Sequence, residues 1–209
     1  MRNLLFLFFL LLLDPLMAQT SVKIALINDN PPDSELELQY EKNLKDEILL
    51  LLQYSYEVKF NTYYTSKREA DFAKSFSDAY AENDIVIGFG TNASTYAVSL
   101  KNYPKPTIAS IVLDAQLQGL QKTPEGTSGI ENFTYMESPF DIKRDLNLLY
   151  SIYPFDHLEV ITEKGTVGET PFIKLLFAKY LQGKNVTIDN IFYSDNIGEH
   201  FTDMADKKV

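Results

Sequence analysis

Residues 84–94 read DIVIGFGTNAS, and this stretch indicates how the rest of the chain is built. It begins with a short apolar run that has the length and composition of a buried strand. The run ends in G-F-G, which suits a tight turn, and the threonine and asparagine that follow commonly begin a helix. A buried strand that turns directly into a helix is the repeating step of a parallel sheet covered by helices. The stretch therefore predicts an α/β protein.

The same alternation extends in both directions along the chain. Strands are predicted at 22–27, 56–60, 84–88, 107–113, 158–162 and 186–193. Helices are predicted at 34–53, 66–82, 90–100, 138–152, 170–183 and 197–206, opened by the capping boxes SELE (34–37) and SKRE (66–69) and by Ser-Pro at 138 and Thr-Pro at 170. The short connections favour parallel sheets with helices on both faces.

The region 114–128 is rich in turn residues and divides the chain into two lobes. We expect a signal peptide at 1–18, an N-terminal α/β lobe at 19–135 and a partial second α/β lobe at 136–209. The last residues read ADKKV, which resembles an interrupted strand–helix unit. We therefore expect the second lobe to be incomplete and the natural chain to extend beyond Val209.

The first eighteen residues are expected to be an export signal. Arg2 is followed by the apolar run 4–13, which is long enough for a signal peptide and too short to span a bilayer. Cleavage is expected near Ala18. Because no later stretch has the length of a membrane span, no direct membrane insertion is expected after cleavage. An exported chain without cysteine suits a bacterial periplasm.

Composition excludes several classes of protein. The formal net charge is −10 and the sequence pI is about 4.7, so a phosphate backbone would repel the chain and no nucleic-acid partner is expected. The chain has no cysteine, which excludes disulfides, thiolate catalysis and a cysteine-linked lipid anchor. It has only two histidines, so we expect neither a metal site nor a cofactor.

The candidate site residues follow the predicted strands. Ligands of open parallel sheets bind beyond the carboxyl ends of the strands. The candidate ligand-binding residues there are Asn28, Asp29, Asn30, Gly90, Thr91, Asn92, Asp114 and, in the second lobe, Glu163. Asn28, Asp29 and Asn30 could grip an amine or hydroxyls, or they could simply form the turn before two prolines.

Three interpretations of residues 88–93, GFGTNA, remain open. The segment fits G-x-G-x-x-A, and Asp114 at the end of the next strand could bind a ribose, as in a dinucleotide site. Alternatively, the amides at the helix start, with Thr91 and Asn92, hold a carboxylate or another polar group of a ligand. The third interpretation is an ordinary turn in which Thr91 caps the helix.

No catalytic residues are predicted, and the chain is not expected to be an enzyme. It contains no G-x-S-x-G motif. His157 has Asp156 beside it, but nothing in the sequence selects a serine to complete a triad.

Six segments occur in an order that resembles a known family. They read VKIALINDNPP (22–32), DIVIGFGTNAS (84–94), YPKPTIASIVLDAQ (103–116), TPEGTSGIENF (123–133), LLYSIYP (148–154) and LEVITEKGTVGETPF (158–172). The chain resembles the substrate-binding proteins of ABC transporters, in a poorly characterised type I periplasmic-binding group that includes tryptophan- and tyrosine-binding-like members. It departs from the family in lacking a lipobox cysteine, in the run GTSG at 126–129, and in having Ala115 after Asp114.

The resemblance implies two α/β lobes around a cleft, with the candidate residues above contacting the ligand. It also implies an exported protein that captures a small polar or amino-acid-like solute for an inner-membrane ABC permease. The alternative is an extracytoplasmic sensor, or an accessory of an envelope export system, with the same fold. A secreted hydrolase and a dinucleotide-binding enzyme are the remaining alternatives.

Overall fold

The computed structural model describes residues 19–29, 35–66, 68–138, 141–163 and 171–193. Its strands are β1 (Thr20–Asn28), β2 (Tyr56–Tyr64), β3 (Ile85–Phe89), β4 (Thr107–Val112), β5 (Phe133–Glu137), β6 (His157–Glu163) and β7 (Thr187–Tyr193). Its helices are α1 (Glu35–Leu52), α2 (Glu69–Glu82), α3 (Thr91–Ser99), α4 (Ile142–Ile152) and α5 (Pro171–Tyr180).

Five strands form a parallel sheet in the order β2-β1-β3-β4-β5. The register of β1 pairs Asn28 with Tyr64 on one side and with Phe89 on the other. Because the strands are parallel, their carboxyl ends lie along one side of the sheet, which we call the carboxyl edge. The predicted parallel α/β architecture is confirmed.

Helices cover both faces of this sheet. Successive residues of β1 point to opposite faces, and its apolar run IALI supplies a core on each. On one face, α1 packs Leu44, Ile48 and Leu52 against the strand residues Ile24, Leu26 and Ile87. On the other face, α2 and α3 pack Phe72, Phe76, Ala93 and Ala97 against Ala25, Ile27, Val86 and Ala109.

Small residues hold the first turn of α3 close to the sheet. A Cβ on Gly88 would lie 2.9 Å from the carbonyl oxygen of Ala93, so β3 approaches the helix backbone at a distance that only glycine permits. The buried Ser94 donates its hydroxyl to the Gly88 carbonyl at 3.0 Å and accepts from the Ile111 amide at 3.0 Å. These contacts fix the start of α3 beside β3 and β4.

The strands β6 and β7 form a second, two-stranded parallel sheet. Leu176 of α5 is fully buried and packs against Val160 of β6. It also packs against Leu113 and Leu117, which follow β4. Helix α5 therefore contacts both the second sheet and the carboxyl edge of the first.

The strand β5 is absent from the sequence prediction. Phe133 is its only fully buried residue, and Thr134, Met136 and Glu137 are exposed. Since β5 is the outer strand of the sheet, it lacks the continuous apolar run by which the inner strands were predicted.

Two predicted helix starts are wrong. Helix α4 begins at Ile142 rather than at 138, with Asp141 as the N-cap that accepts the Arg144 amide at 2.8 Å. Helix α2 begins at Glu69, and Ser66, predicted to cap it, instead donates its hydroxyl to the side chain of Asp71. Asp141 therefore replaces Ser138 as the cap of α4, whereas the N-cap residue of α2, Arg68, makes no side-chain capping bond.

The predicted signal peptide at 1–18, the caps at Ser34 and Thr170 and the predicted helix at 197–206 lie outside the described residues. Among the helices that the structure does describe, none has the length and hydropathy needed to cross a membrane.

Candidate functional site

The structure brings together five of the predicted site residues at the carboxyl edge. Asn28 ends β1 and Asp29 follows it, whereas Gly90 follows β3, and Thr91 and Asn92 begin α3. The backbone amide of Asp29 donates to the Phe89 carbonyl at 3.4 Å, so the two segments are directly joined. The strand order places them side by side because β1 pairs with β3.

Asp29 caps helix α3 from the neighbouring strand. Its Oδ2 accepts the backbone amides of Asn92 at 2.6 Å and Ala93 at 3.3 Å. The N-cap position of α3 is Gly90, which has no side chain with which to cap it. Asp29 is 2% exposed, so this carboxylate is buried against the positive end of the helix dipole.

This arrangement bears on the three interpretations of residues 88–93. Thr91 is the first residue of α3 and not its cap, so the cap assigned in the third interpretation is wrong, whereas the tight turn from β3 into α3 is present. The amides of Asn92 and Ala93, which a ligand carboxylate or a dinucleotide phosphate would use, are engaged by Asp29. Thr91 and Asn92 are half-buried at this edge.

Gly90 is required for this contact. Its φ is +107°, a conformation that favours glycine, and a Cβ there would lie 1.8 Å from Oδ1 of Asp29. The absence of a side chain at Gly90 therefore allows Asp29 to reach the start of α3.

A second buried carboxylate lies beside Asn28, and the sequence analysis missed it. Glu41 of α1 is 5% exposed and accepts Asn28 Nδ2 at 3.2 Å. It also accepts the hydroxyls of Thr62 and Tyr64, each at 2.9 Å, and forms an ion pair with Lys45. Burial by itself would raise the pKa of Glu41, but the hydrogen bonds from these four partners hold that pKa below its ordinary value.

Asp114 is joined to helix α5. Its carboxylate accepts Lys179 Nζ at 2.8 and 3.1 Å, the Tyr180 hydroxyl at 2.8 Å and the Leu117 amide at 2.9 Å. Burial would raise the pKa of Asp114, but the bonds from Lys179, Leu117 and Tyr180 lower it below the ordinary value. We call Asp114, Lys179 and Tyr180 the α5 clasp.

The remaining two predicted residues are less informative. Asn30 lies outside the described residues. The backbone of Glu163 ends β6 in register with Tyr193, and its side chain is not among those described.

The buried hydroxyl of Thr65 also lies at the carboxyl edge. Thr65 follows β2, is 4% exposed and donates its amide to the Asn28 carbonyl at 3.0 Å. Its Oγ1 has no hydrogen-bond partner among the residues that the structure describes. Buried polar groups are normally paired, so this hydroxyl retains an unused capacity to donate or accept a hydrogen bond.

The described residues also enclose an open groove of about 680 Å³ at the opposite end of the sheet. Ile85, Pro106 and Thr107, at the starts of β3 and β4, line it together with 127–134. It therefore lies away from the candidate site residues.

Metal binding and acid–base chemistry in the described part of the chain would depend on its acidic side chains and on His157. No cluster of three or more His, Asp or Glu side chains there could hold a metal ion. His157 begins β6, and its Nε2 lies 3.8 Å from Oε1 of Glu159.

Comparison with known proteins supports the fold. No family model matches the chain, and no curated protein sequence matches it. Solved structures do match: an ABC domain from Streptococcus pneumoniae in complex with L-Trp superposes with a TM-score of 0.59 at 18% identity, over 91% of this chain and 63% of that one. The chain has the fold of the type I periplasmic-binding proteins.

Two further structures with this fold are more distant. A leucine-binding protein from Thermotoga maritima matches with a TM-score of 0.53 at 12% identity, over 89% of this chain and 52% of that one. A solute-binding protein of an ABC transporter from Rhodopseudomonas palustris, in complex with 3,4-dihydroxybenzoic acid, has a TM-score of 0.51 at 13% identity, with the same coverages of 89% and 52%. The chain thus spans less than two thirds of the length of these structures.

Proposed function

We propose that this chain is an exported, non-enzymatic solute-binding protein that captures a small polar or amino-acid-like ligand for an inner-membrane ABC permease. The observation that carries the proposal is the likeness of the fold to three solute-binding structures. In this proposal the mature chain is periplasmic, with lobes at 19–135 and 136–209.

The carboxyl edge gives this proposal its binding residues. Thr91 and Asn92 are half-buried beside the strand ends, and we assign them to direct ligand contact. Asn28 and Asp29 are buried and bonded to Glu41 and α3, so we assign them a positioning role. Asp114 would bear on ligand binding through the clasp it forms with α5.

The first experiment is a thermal melt of residues 19–209 against amino acids, sugars and nucleosides. An external dye is needed because the chain has no tryptophan. A solute at 100 times its dissociation constant should add about 2.7 kcal/mol to the free energy of unfolding. A cooperative melt that no solute shifts would contradict the proposal.

A double variant then tests the site. Thr91→Ala with Asn92→Ala should weaken binding of the solute found, while the free energy of unfolding changes by no more than about 1–2 kcal/mol, the scale of a lost cap. Ser99→Ala, an exposed position at the other end of α3, is the matched control. Unchanged affinity in the double variant would contradict the assignment of the site.

A further inference from the structure

We propose that Asp29 determines the charge of the ligand: the solute presents an uncharged or cationic group, and not an anionic one, to the start of α3. This inference rests on the proposed function, since it concerns the same edge of the sheet.

The backbone amides at the start of α3 are already occupied. A helix start attracts anions because its first amides lack partners within the helix and the dipole is positive there. Here Oδ2 of Asp29 already accepts the Asn92 and Ala93 amides. An anionic ligand group would have to displace a carboxylate that the chain itself supplies.

The carboxylate of Asp29 is held in place by burial and by its close approach to Gly90. Asp29 is buried, and its Oδ1 occupies the space that a Cβ of Gly90 would take. Because the carboxylate fills this space, an anion could not enter at Gly90 without displacing Asp29. The negative charge of Asp29 would also repel one across the short distance from the Asn92 backbone.

Other charged groups near the carboxyl edge are carboxylates and lysines that are already paired. Glu41 is buried and the side chain of Asp114 is 8% exposed, and their lysine partners, Lys45 and Lys179, are already engaged with them. The chain as a whole has a formal charge of −10. These two lysines are therefore not free to pair with an anionic group, and the net charge of the chain would repel such a group at long range.

A formate titration tests the occupied anion site without any ligand. Asp29→Ala removes the carboxylate, and formate has the size of the group removed. We expect formate to raise the melting temperature of Asp29→Ala more than sodium chloride does at equal ionic strength. For the wild type we expect formate and chloride to have the same effect on the melting temperature. Asp46→Ala, which removes an exposed carboxylate from the interior of α1, is the matched control and should not respond. An equal response of all three proteins would overturn the inference.

Solute pairs that differ in one carboxylate test the selectivity itself. Tyrosine with tyramine, and arginine with agmatine, are measured by calorimetry on the wild type and on Asp29→Asn. Asp29→Asn keeps an oxygen facing the amides, so it remains usable if Asp29→Ala fails to fold. We expect the amine to bind the wild type at least roughly tenfold more tightly than its amino acid, the cost of like charges in contact, and the ratio to narrow in Asp29→Asn.

The outcomes separate the inference from the proposed function. Tighter binding of the amino acid than of the amine by the wild type, or a ratio unchanged in Asp29→Asn, would overturn the inference and leave the solute-binding function intact. If neither pair binds and the broader solute screen also fails, the proposed function is contradicted, and the formate result still decides whether Asp29 fills an anion site.

Discussion

The carboxylate of Asp114 and the ammonium group of Lys179 lie 2.8 Å apart and join segments separated by 65 residues of sequence. Tyr180 adds a second donor from the same helix. The side chain of Asp114 is 8% exposed and that of Lys179 is 32% exposed, so this ion pair is only partly screened by water. It connects the end of β4 to the helix that packs on the second sheet.

Lys179→Met should therefore destabilise the protein. The change leaves the buried Asp114 with fewer donors, and we expect a loss of about 1–3 kcal/mol in the free energy of unfolding by urea. Lys174→Met removes an exposed lysine from the same helix and should change it by no more than about 0.5 kcal/mol. Equal effects of the two changes would show that the α5 clasp contributes nothing.

Acid should remove the stabilisation that Glu41 provides. Because its pKa is lowered by folding, its contribution is complete above the ordinary value of 4.5 and is lost as pH falls through the lower folded value. Glu41→Gln should thus be less stable than the wild type at neutral pH, with the difference shrinking below pH 4.5. Urea unfolding across that range measures it, with Glu47→Gln, an exposed position of α1, as the control. A difference independent of pH would contradict this role of the charge.

Gly90→Ala should be costly because of Asp29. The new Cβ meets Oδ1 and must also adopt a positive φ, for which we expect about 1–3 kcal/mol or more. Gly126→Ala shares the positive φ but has nothing within 4 Å of its Cβ, so it measures the cost of the conformation alone. In an Asp29→Ala background, Gly90→Ala should cost less, and full additivity of the two changes in thermal melts would argue against the contact.

Loss of the hydroxyl group should lower the free energy of unfolding at Tyr103 but not at Tyr135. Tyr103 donates to the carbonyls of Ala97 and Leu100 at 2.9 and 3.1 Å, so Tyr103→Phe should cost about 1 kcal/mol. The Tyr135 hydroxyl is buried with no hydrogen-bond partner among the described residues, so Tyr135→Phe should be neutral or stabilising by up to about 1 kcal/mol. Chemical denaturation of both variants decides, and a clear loss in Tyr135→Phe would refute this assignment.

The inner strands could be predicted because they are buried on both faces. β1, β3 and β4 each contain an apolar run bounded by turn residues, and that pattern can be recognised in the sequence alone. β5 could not be predicted in this way, since most of its side chains face solvent. Its place in the sheet depends on pairing with β4, which no local pattern encodes.

The proximity of several candidate residues could be predicted, but their contacts could not. The rule that ligand residues follow parallel strands led to Asn28, Asp29 and Gly90, which do lie together. That Asp29 would bond to α3 could not be read from residues separated by 63 positions. Glu41 is one of 29 acidic residues, and only its helical phase relative to Leu44 and Ile48 hinted that it faces the sheet.

The position of β1 also has a consequence for how the chain folds. The strand formed by the earliest described residues is an inner strand of the sheet, and its partners β2 and β3 follow only after α1 and α2, respectively, have been made. Its apolar run IALI therefore has no strand to pair with until those later segments have been synthesised. Long-range parallel pairing of this kind is slow and exposes sticky strands in the interval. The sheet thus leaves its first strand open to pairing with other chains until β2 and β3 have formed.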